Sequence, residues 1–326
     1  MRVAVALVVV VVLAGCSDAP KDNGPATSAT GSSGPNGTEP GEAAAQNGSV
    51  PPTWQVGQSW RWRIESTRLA DAIETNLVVL TAGGATYDIG TTNLTTADDA
   101  YPFHLLGLGA VDATTLAWEA HGAPVQFLRF PLTDGERFTT DFWSAAGAEV
   151  EIRAANVIGP SGPEPGFRST AYYAGSDSVF MEADYASARG QFVRVATRFG
   201  ATEPFAEASL IGDGDNETGH AFRATDLARW TAQSGDPSTL TPRQAQVGDA
   251  DDLVLLACFL PADPGNYQAY LTVQSGTISC GSQGTLQGSG YQSYSISTGP
   301  GQANLAAIVV GQGSITVEAF AIDTGE

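Results

Sequence analysis

From Trp60 the chain alternates: Trp60, Trp62 and Ile64 fall on one side of an extended backbone, and Arg61, Arg63 and Glu65 on the other. Period two over six residues predicts a strand with one buried face. The same signature predicts strands over 76–80, 85–89, 125–130, 138–143, 150–154, 168–173, 179–185 and 191–199. In the last of these, Val193, Val195, Thr197 and Phe199 share a face against Arg194 and Arg198. No stretch keeps a helical period for three turns, and residues 101–117 read as an irregular insertion. Thr133-Asp134-Gly135-Glu136 reads as a hairpin turn, because Asp-Gly supplies the positive φ that tight turns need. Many short strands with turn punctuation predict an antiparallel meander over 54–220, built as a curved sheet or half-barrel.

The pattern resumes after Trp230. Residues 253–260 are a continuous apolar run, the mark of a strand buried on both faces, and 267–273 alternate. Glycines at 276, 281, 284, 288 and 290 punctuate the next stretch, and strands over 304–310 and 314–322 close the chain. This spacing predicts a small β-sandwich over 225–326, jelly-roll or Ig-like. The fold class expected is all-β throughout, in two domains.

The head of the chain is of another kind. Arg2 precedes twelve apolar or small residues ending at Ala14, and then come Gly15 and Cys16. A bilayer-spanning helix needs roughly 20 apolar residues, so this run has the length of a signal-peptide core. Leu13-Ala14-Gly15-Cys16 reads as a lipobox, which predicts removal of residues 1–15 and lipidation of Cys16. The protein is therefore expected outside the cytoplasm, held to the membrane by its lipid. Ser17 to Thr53 contains no aromatic residue, and Val50 is its only large aliphatic. Such a stretch cannot offset its ordering entropy, so 16–53 is expected to be a tether with a reach of about 35 Å.

Charge narrows the field. The chain carries 35 acids against 15 bases, a net −20, and Lys21 is the single lysine. That imbalance repels nucleic acid and excludes a basic-patch role. It suits a salt-adapted or GC-rich microbe, an archaeon above all, since salt screens the self-repulsion. Of the three cysteines, Cys258 and Cys280 remain as an even pair outside the cell, where a disulfide closing their loop contributes about 3 kcal/mol. A free buried Cys258 thiol is the alternative.

Two stretches carry a family resemblance. Val56-Gly57-Gln58-Ser59-Trp60-Arg61-Trp62 and Phe130-Pro131-Leu132-Thr133-Asp134-Gly135-Glu136-Arg137-Phe138 resemble a pairing in uncharacterised secreted microbial surface lipoproteins, in which a VGxxWxY strand precedes an FPLxxGxxW hairpin. Trp62 stands where Tyr is commoner, and Phe138 where Trp is. The resemblance spans about sixteen residues. It implies a curved antiparallel sheet of the type that cups apolar ligands, and it implies no catalytic residue.

The chemistry-bearing residues give few constellations. His104, His121 and His220 each stand alone, and the chain has no HExxH, Gly-x-Ser-x-Gly, phosphate loop or Cys-x-x-Cys. No catalytic residue, metal or cofactor is assigned. Asp213, Asp215 and Glu217 resemble the opening of a calcium loop, but the twelfth position is Ala224, where a bidentate Glu is needed. A solvated acidic linker is the better reading. Asn36, Asn47, Asn93 and Asn216 open glycosylation sequons. Tyr267, Tyr270, Tyr291 and Tyr294 could stack on sugars or simply pack.

The β-domain's apolar faces leave two arrangements open. If the sheet closes flat, Trp60, Trp62, Ile64, Val193, Val195 and Phe199 are core. If it curves uncovered, they line a groove filled by a ligand, by the 101–117 insertion or by the second domain, since bare apolar surface costs roughly 25 cal/mol per Å². The function expected is non-enzymatic binding of a cell-surface protein, a glycan or an apolar ligand. The alternatives are a secreted glycan or lipid hydrolase using a carboxylate pair, and a structural envelope protein.

Overall fold

The computed structural model describes residues 50–323, apart from 67–70, 95–104, 121–122, 143–144, 234–242, 249–252, 261–265, 275, 283–289, 298–299 and 311–313. Cys16, Asn36 and Asn47 lie outside the described residues, as do His104 and His121. Among the described residues the fold is all-β, with no α-helix.

The first twelve strands are β1 (Ser59–Ser66), β2 (Ile73–Thr81), β3 (Thr86–Thr91), β4 (Gly109–Asp112), β5 (Trp118–Ala120), β6 (Ala123–Val125), β7 (Arg137–Phe142), β8 (Ala145–Gly159), β9 (Gly162–Tyr172), β10 (Val179–Ala186), β11 (Gln191–Thr197) and β12 (Ala206–Gly214). They form one sheet in the order β6-β5-β4-β3-β2-β1-β12-β11-β10-β9-β8-β7, with every pairing antiparallel. The order is that of an up-and-down barrel, with β1 paired to β12 and the two free edges, β6 and β7, consecutive in sequence. The sheet is nearly closed. Curling in this way leaves few open edges and turns one face wholly inward.

Alternation decides which residues go in. Trp60, Trp62 and Ile64 of β1 are buried, while Arg61, Arg63 and Glu65 face out. Residues 126–136 cross the opening between β6 and β7 and send Phe127, Leu128 and Leu132 into the interior. Here the structure corrects the sequence reading. The turn at Thr133–Glu136 forms, with the Glu136 N–H donating to the Thr133 carbonyl at 3.2 Å and Gly135 at φ +80°. It makes no hairpin, however, because β6 pairs only with β5 and β7 only with β8. Of the expected insertion at 101–117, residues 105–117 are likewise part of the barrel: they contribute β4, and Leu105, Leu106, Leu108 and Leu116 are buried in the core.

The outer face carries the charge. Arg168 on β9 donates to both carboxylate oxygens of Asp184 on β10, at 2.7 and 2.9 Å. Arg198 reaches Glu182 at 2.7 Å, and Arg194 reaches Glu207 at 2.8 Å. Arg137 spans Glu149 and Glu151 at 2.8 and 2.9 Å. Cross-strand neighbours on one sheet face are the pairs that can meet in this way. Asp184 is 2% exposed whereas Arg168 is about half exposed, at 46%. Asp184→Ala is therefore expected to cost about 2 kcal/mol, below the full penalty of a buried pair because water reaches Arg168. Glu65→Ala, on the exposed Arg63–Glu65 pair, should cost under about 0.5 kcal/mol. Urea denaturation of both variants checks this, and equal losses would contradict it.

Eight strands complete the chain: β13 (Arg223–Gln233), β14 (Arg243–Val247), β15 (Leu253–Leu260), β16 (Asn266–Val273), β17 (Gly276–Ser282), β18 (Gly290–Ser297), β19 (Gly301–Val310) and β20 (Ser314–Asp323). They form two sheets, β13-β20-β15-β18 and β14-β19-β16-β17. Numbered from one to eight, the orders are 1-8-3-6 and 2-7-4-5, the connectivity of a jelly roll. Both sheets share one core, in which Trp230, Val254, Ile315 and Val317 face Leu271, Ile278, Ala303 and Leu305.

Alternation along β20 gives its two faces different tasks. Val317 and Ala319 point into the sandwich. Phe320 and Ile322 join the barrel's core cluster, as does the buried Phe222. Arg223 donates to Asp88 of β3 at 2.6 Å beside this contact. Glu318 shares the face of Phe320 and Ile322 and is fully buried, with its carboxylate 2.9 Å from the Arg229 guanidinium.

Candidate functional site

The barrel interior is an aromatic cluster built from alternate residues of many strands. Ring contacts run in a chain from Trp118 to Phe127 (6.2 Å), from Phe127 to Phe142 (5.5 Å), from Phe142 to Phe180 (5.3 Å) and from Phe180 to Phe199 (5.4 Å). A second line runs from Trp118 through Phe192 (5.8 Å) to Tyr185 (5.8 Å) and Phe130 (5.9 Å). Burial pushes the Tyr173 phenol up to about 12 and raises that of Tyr185 further, so both stay neutral.

The expected groove residues Trp60, Trp62, Ile64, Val193, Val195 and Phe199 all lie in this cluster, none more than 3% exposed. The interior holds a cavity of about 30 Å³. Trp54, Trp60, Trp62, Leu106, Trp118 and Phe192 are among the residues that line it. A space of that size admits a water-sized molecule and no lipid chain. Its walls are apolar apart from Gln191 and the indole N–H groups of Trp62 and Trp118, both of which lack an acceptor among the described residues. A buried donor without a partner costs about 1–3 kcal/mol, so two around one cavity call for an explanation.

Trp54 closes the cavity from a segment that belongs to no strand. Its ring lies edge-on to Trp60 at 4.7 Å and tilted on Tyr87 at 4.9 Å. The turn after it is fixed by Gly57 at φ +84°, whose N–H donates to the Val79 carbonyl at 2.9 Å.

Outside Trp60 the surface opens into a polar cleft of about 270 Å³, lined by Gln58, Ser59, Trp60, Arg189, Asp213, Gly214 and Asp215. Trp60 is thus the wall between cleft and cavity. Arg189 binds Glu164 at 2.7 Å and also Asp213, and its hydrogen bond to Glu164, above all, raises its pKa.

The remaining sequence candidates fall apart in space. Asp213 is tied to Arg189, and Glu217 accepts from Asn76 at 3.4 Å. No three acids, histidines or cysteines among the described residues converge to hold a metal ion. Asn216 is exposed in a left-handed conformation, φ +60°. Asn93 is exposed too, with its amide nitrogen donating to the Glu74 carbonyl at 2.8 Å. Cys258 lies in β15 and Cys280 in β17, strands of opposite sheets; their side chains lie outside the described residues, and no disulfide is seen. Sequence reasoning missed Trp118, Tyr87 and Gly190 as parts of the site. Of the groove residues expected from alternation, Trp60, Trp62 and Val195 line the cavity.

Comparison with known proteins adds little. No protein-family model matches the chain, and no curated protein does. Among solved structures, the chain is similar at 9% identity to an exo-β-1,3-galactanase from Phanerochaete chrysosporium, covering 80% of this chain and 67% of that one, with TM-score 0.19. A family 43 arabinoxylan arabinofuranohydrolase from Bacillus subtilis gives 12% identity, 76% and 64% coverage and TM-score 0.19. The infectious bursal disease virus Gx strain structure gives 9%, 85%, 72% and 0.20. Likenesses at such scores carry no argument about fold or activity.

Proposed function

We propose that the protein is a lipid-anchored, extracytoplasmic binding protein whose barrel interior holds a small ligand. The observation that carries the reading is the pair of indole N–H groups, Trp62 and Trp118, that lack an acceptor among the described residues and belong to the lining of one small, mainly apolar cavity. Apolar walls with a few placed polar groups are the ordinary composition of a small-molecule site. The lipobox at Leu13–Cys16 supplies the anchor and the tether supplies reach.

Two measurements test this. Cys16→Ser should move the protein from the detergent phase to the aqueous phase; unchanged partitioning and mass would sink the anchor. The full chain carrying Cys16→Ser, purified without detergent, should retain a small molecule in native mass spectrometry and lose it on denaturation. A ligand-free protein whose tryptophan emission no library compound alters would leave only a packed core.

A further inference from the structure

We infer that the barrel takes a small planar aromatic molecule bearing one hydrogen-bond donor and one acceptor, and that Trp54 is a lid occupying its place. The inference rests on the binding reading above and names the ligand class for that site.

Trp54 sits 5% exposed in the core although it belongs to no strand. Three hydrogen bonds seat it. Its indole N–H donates to the Gly190 carbonyl at 3.0 Å, and its backbone N–H donates to the Tyr87 hydroxyl at 3.2 Å. That hydroxyl in turn donates to the Pro52 carbonyl at 3.0 Å. Val56, two residues on, is 63% exposed. No sheet ladder includes residues 52–56, so moving them breaks no strand pairing. Segments held in this way open at the low end of a protein's local stabilities.

With Trp54 withdrawn, the cavity grows by the space of an indole ring and keeps its aromatic walls. Its walls then carry Trp62 and Trp118, whose N–H groups lack an acceptor among the described residues, and the Gly190 carbonyl is freed as an acceptor. A flat bicyclic ring with a hydroxyl and a carbonyl answers all three. Trp54 itself supplies the aromatic surface and the donor but no acceptor, which accounts for the two unsatisfied indoles. The structure also contains a second handle on the lid. A Cβ at Gly190 would lie 2.5 Å from the Cβ of Pro52, so Gly190→Ala presses on the base of the lid; at φ +64° it also strains the backbone that carries the acceptor carbonyl, so its cooperative unfolding in urea is checked first.

The test is calorimetric titration of the full chain with 7-hydroxycoumarin, against naphthalene as the ring without donor or acceptor. Trp54→Ala should bind the coumarin at least tenfold tighter than wild type, and Gly190→Ala at least fivefold tighter. Naphthalene should bind at least tenfold weaker than the coumarin. Placing Trp62→Phe or Trp118→Phe in the Trp54→Ala background should weaken coumarin binding at least fivefold, because bulk stays and the donor goes. Lid variants that unfold cooperatively in urea yet bind no tighter than wild type overturn the inference; if Trp54→Ala fails to fold, Gly190→Ala decides alone. A chain that carries a non-aromatic molecule in native mass spectrometry, while neither lid variant takes up the coumarin, refutes the aromatic class and leaves the binding reading standing.

Discussion

Phe180→Ala is expected to lower the unfolding free energy by about 4 kcal/mol, the largest single-residue loss anticipated in the barrel. Phe180 is fully buried, and its ring meets Phe142 at 5.3 Å, Tyr173 at 5.4 Å and Phe199 at 5.4 Å. Those three rings come from β7, the residue after β9 and the residues after β11, so the cavity left behind would be walled by parts that cannot all collapse inward. Phe180→Leu, which keeps most of the volume, should lose less than half as much. Chemical denaturation of the two variants reads this directly. Equal, small losses from both would mean that the aromatic line is not what binds the two halves of the barrel.

The second large effect depends on pH. Burial pushes the Glu318 carboxyl up to about 9 from 4.5; Asp226 adds to the rise, and Arg229 opposes it without cancelling it. A carboxyl whose folded pKa is raised contributes stability that is full below its unfolded pKa and lost as pH rises through the folded one. The loss therefore falls in the window from about 4.5 to about 9. Glu318→Gln removes the titration. It should match wild type at pH 5 and exceed it by on the order of 3 kcal/mol at pH 9. Urea midpoints at both values decide the matter; a gap that stays constant with pH, or that favours wild type at pH 9, contradicts the buried neutral acid. Because Glu318 shares a face with Phe320 and Ile322, the same measurement reports on the contact between sandwich and barrel.

Much of this architecture is legible in the sequence, but not its closure. Alternation at Trp60–Glu65 places β1 with the correct face inward, and the apolar run at 253–260 is β15 residue for residue. Such periodicity is local, telling which face is buried but not which strand lies beside it. The pairing of β1 with β12, which closes the barrel, joins Trp60 to Asp213 across most of the domain, and the inward face of β12 is carried by Ala206, Ala208 and Leu210, two of them too small to mark a strand. Strands β17 and β18 were hidden by glycine and serine, which mark turns more often than ladders. The site was half visible. Its tryptophans could be named as either core or groove. The unpaired N–H groups depend on the surroundings of two indoles drawn from β1 and β5, and no pattern along the chain encodes that.

If the indole N–H groups of Trp62 and Trp118 are held for a ligand's acceptor, their resonances report its arrival. In the full chain with isotope-labelled indoles, titrated with 7-hydroxycoumarin, the Trp62 and Trp118 signals should shift together and saturably, while that of Trp230, in the core of the sandwich, stays where it is. Saturable binding that moves other signals and leaves Trp62 and Trp118 unshifted would contradict that role.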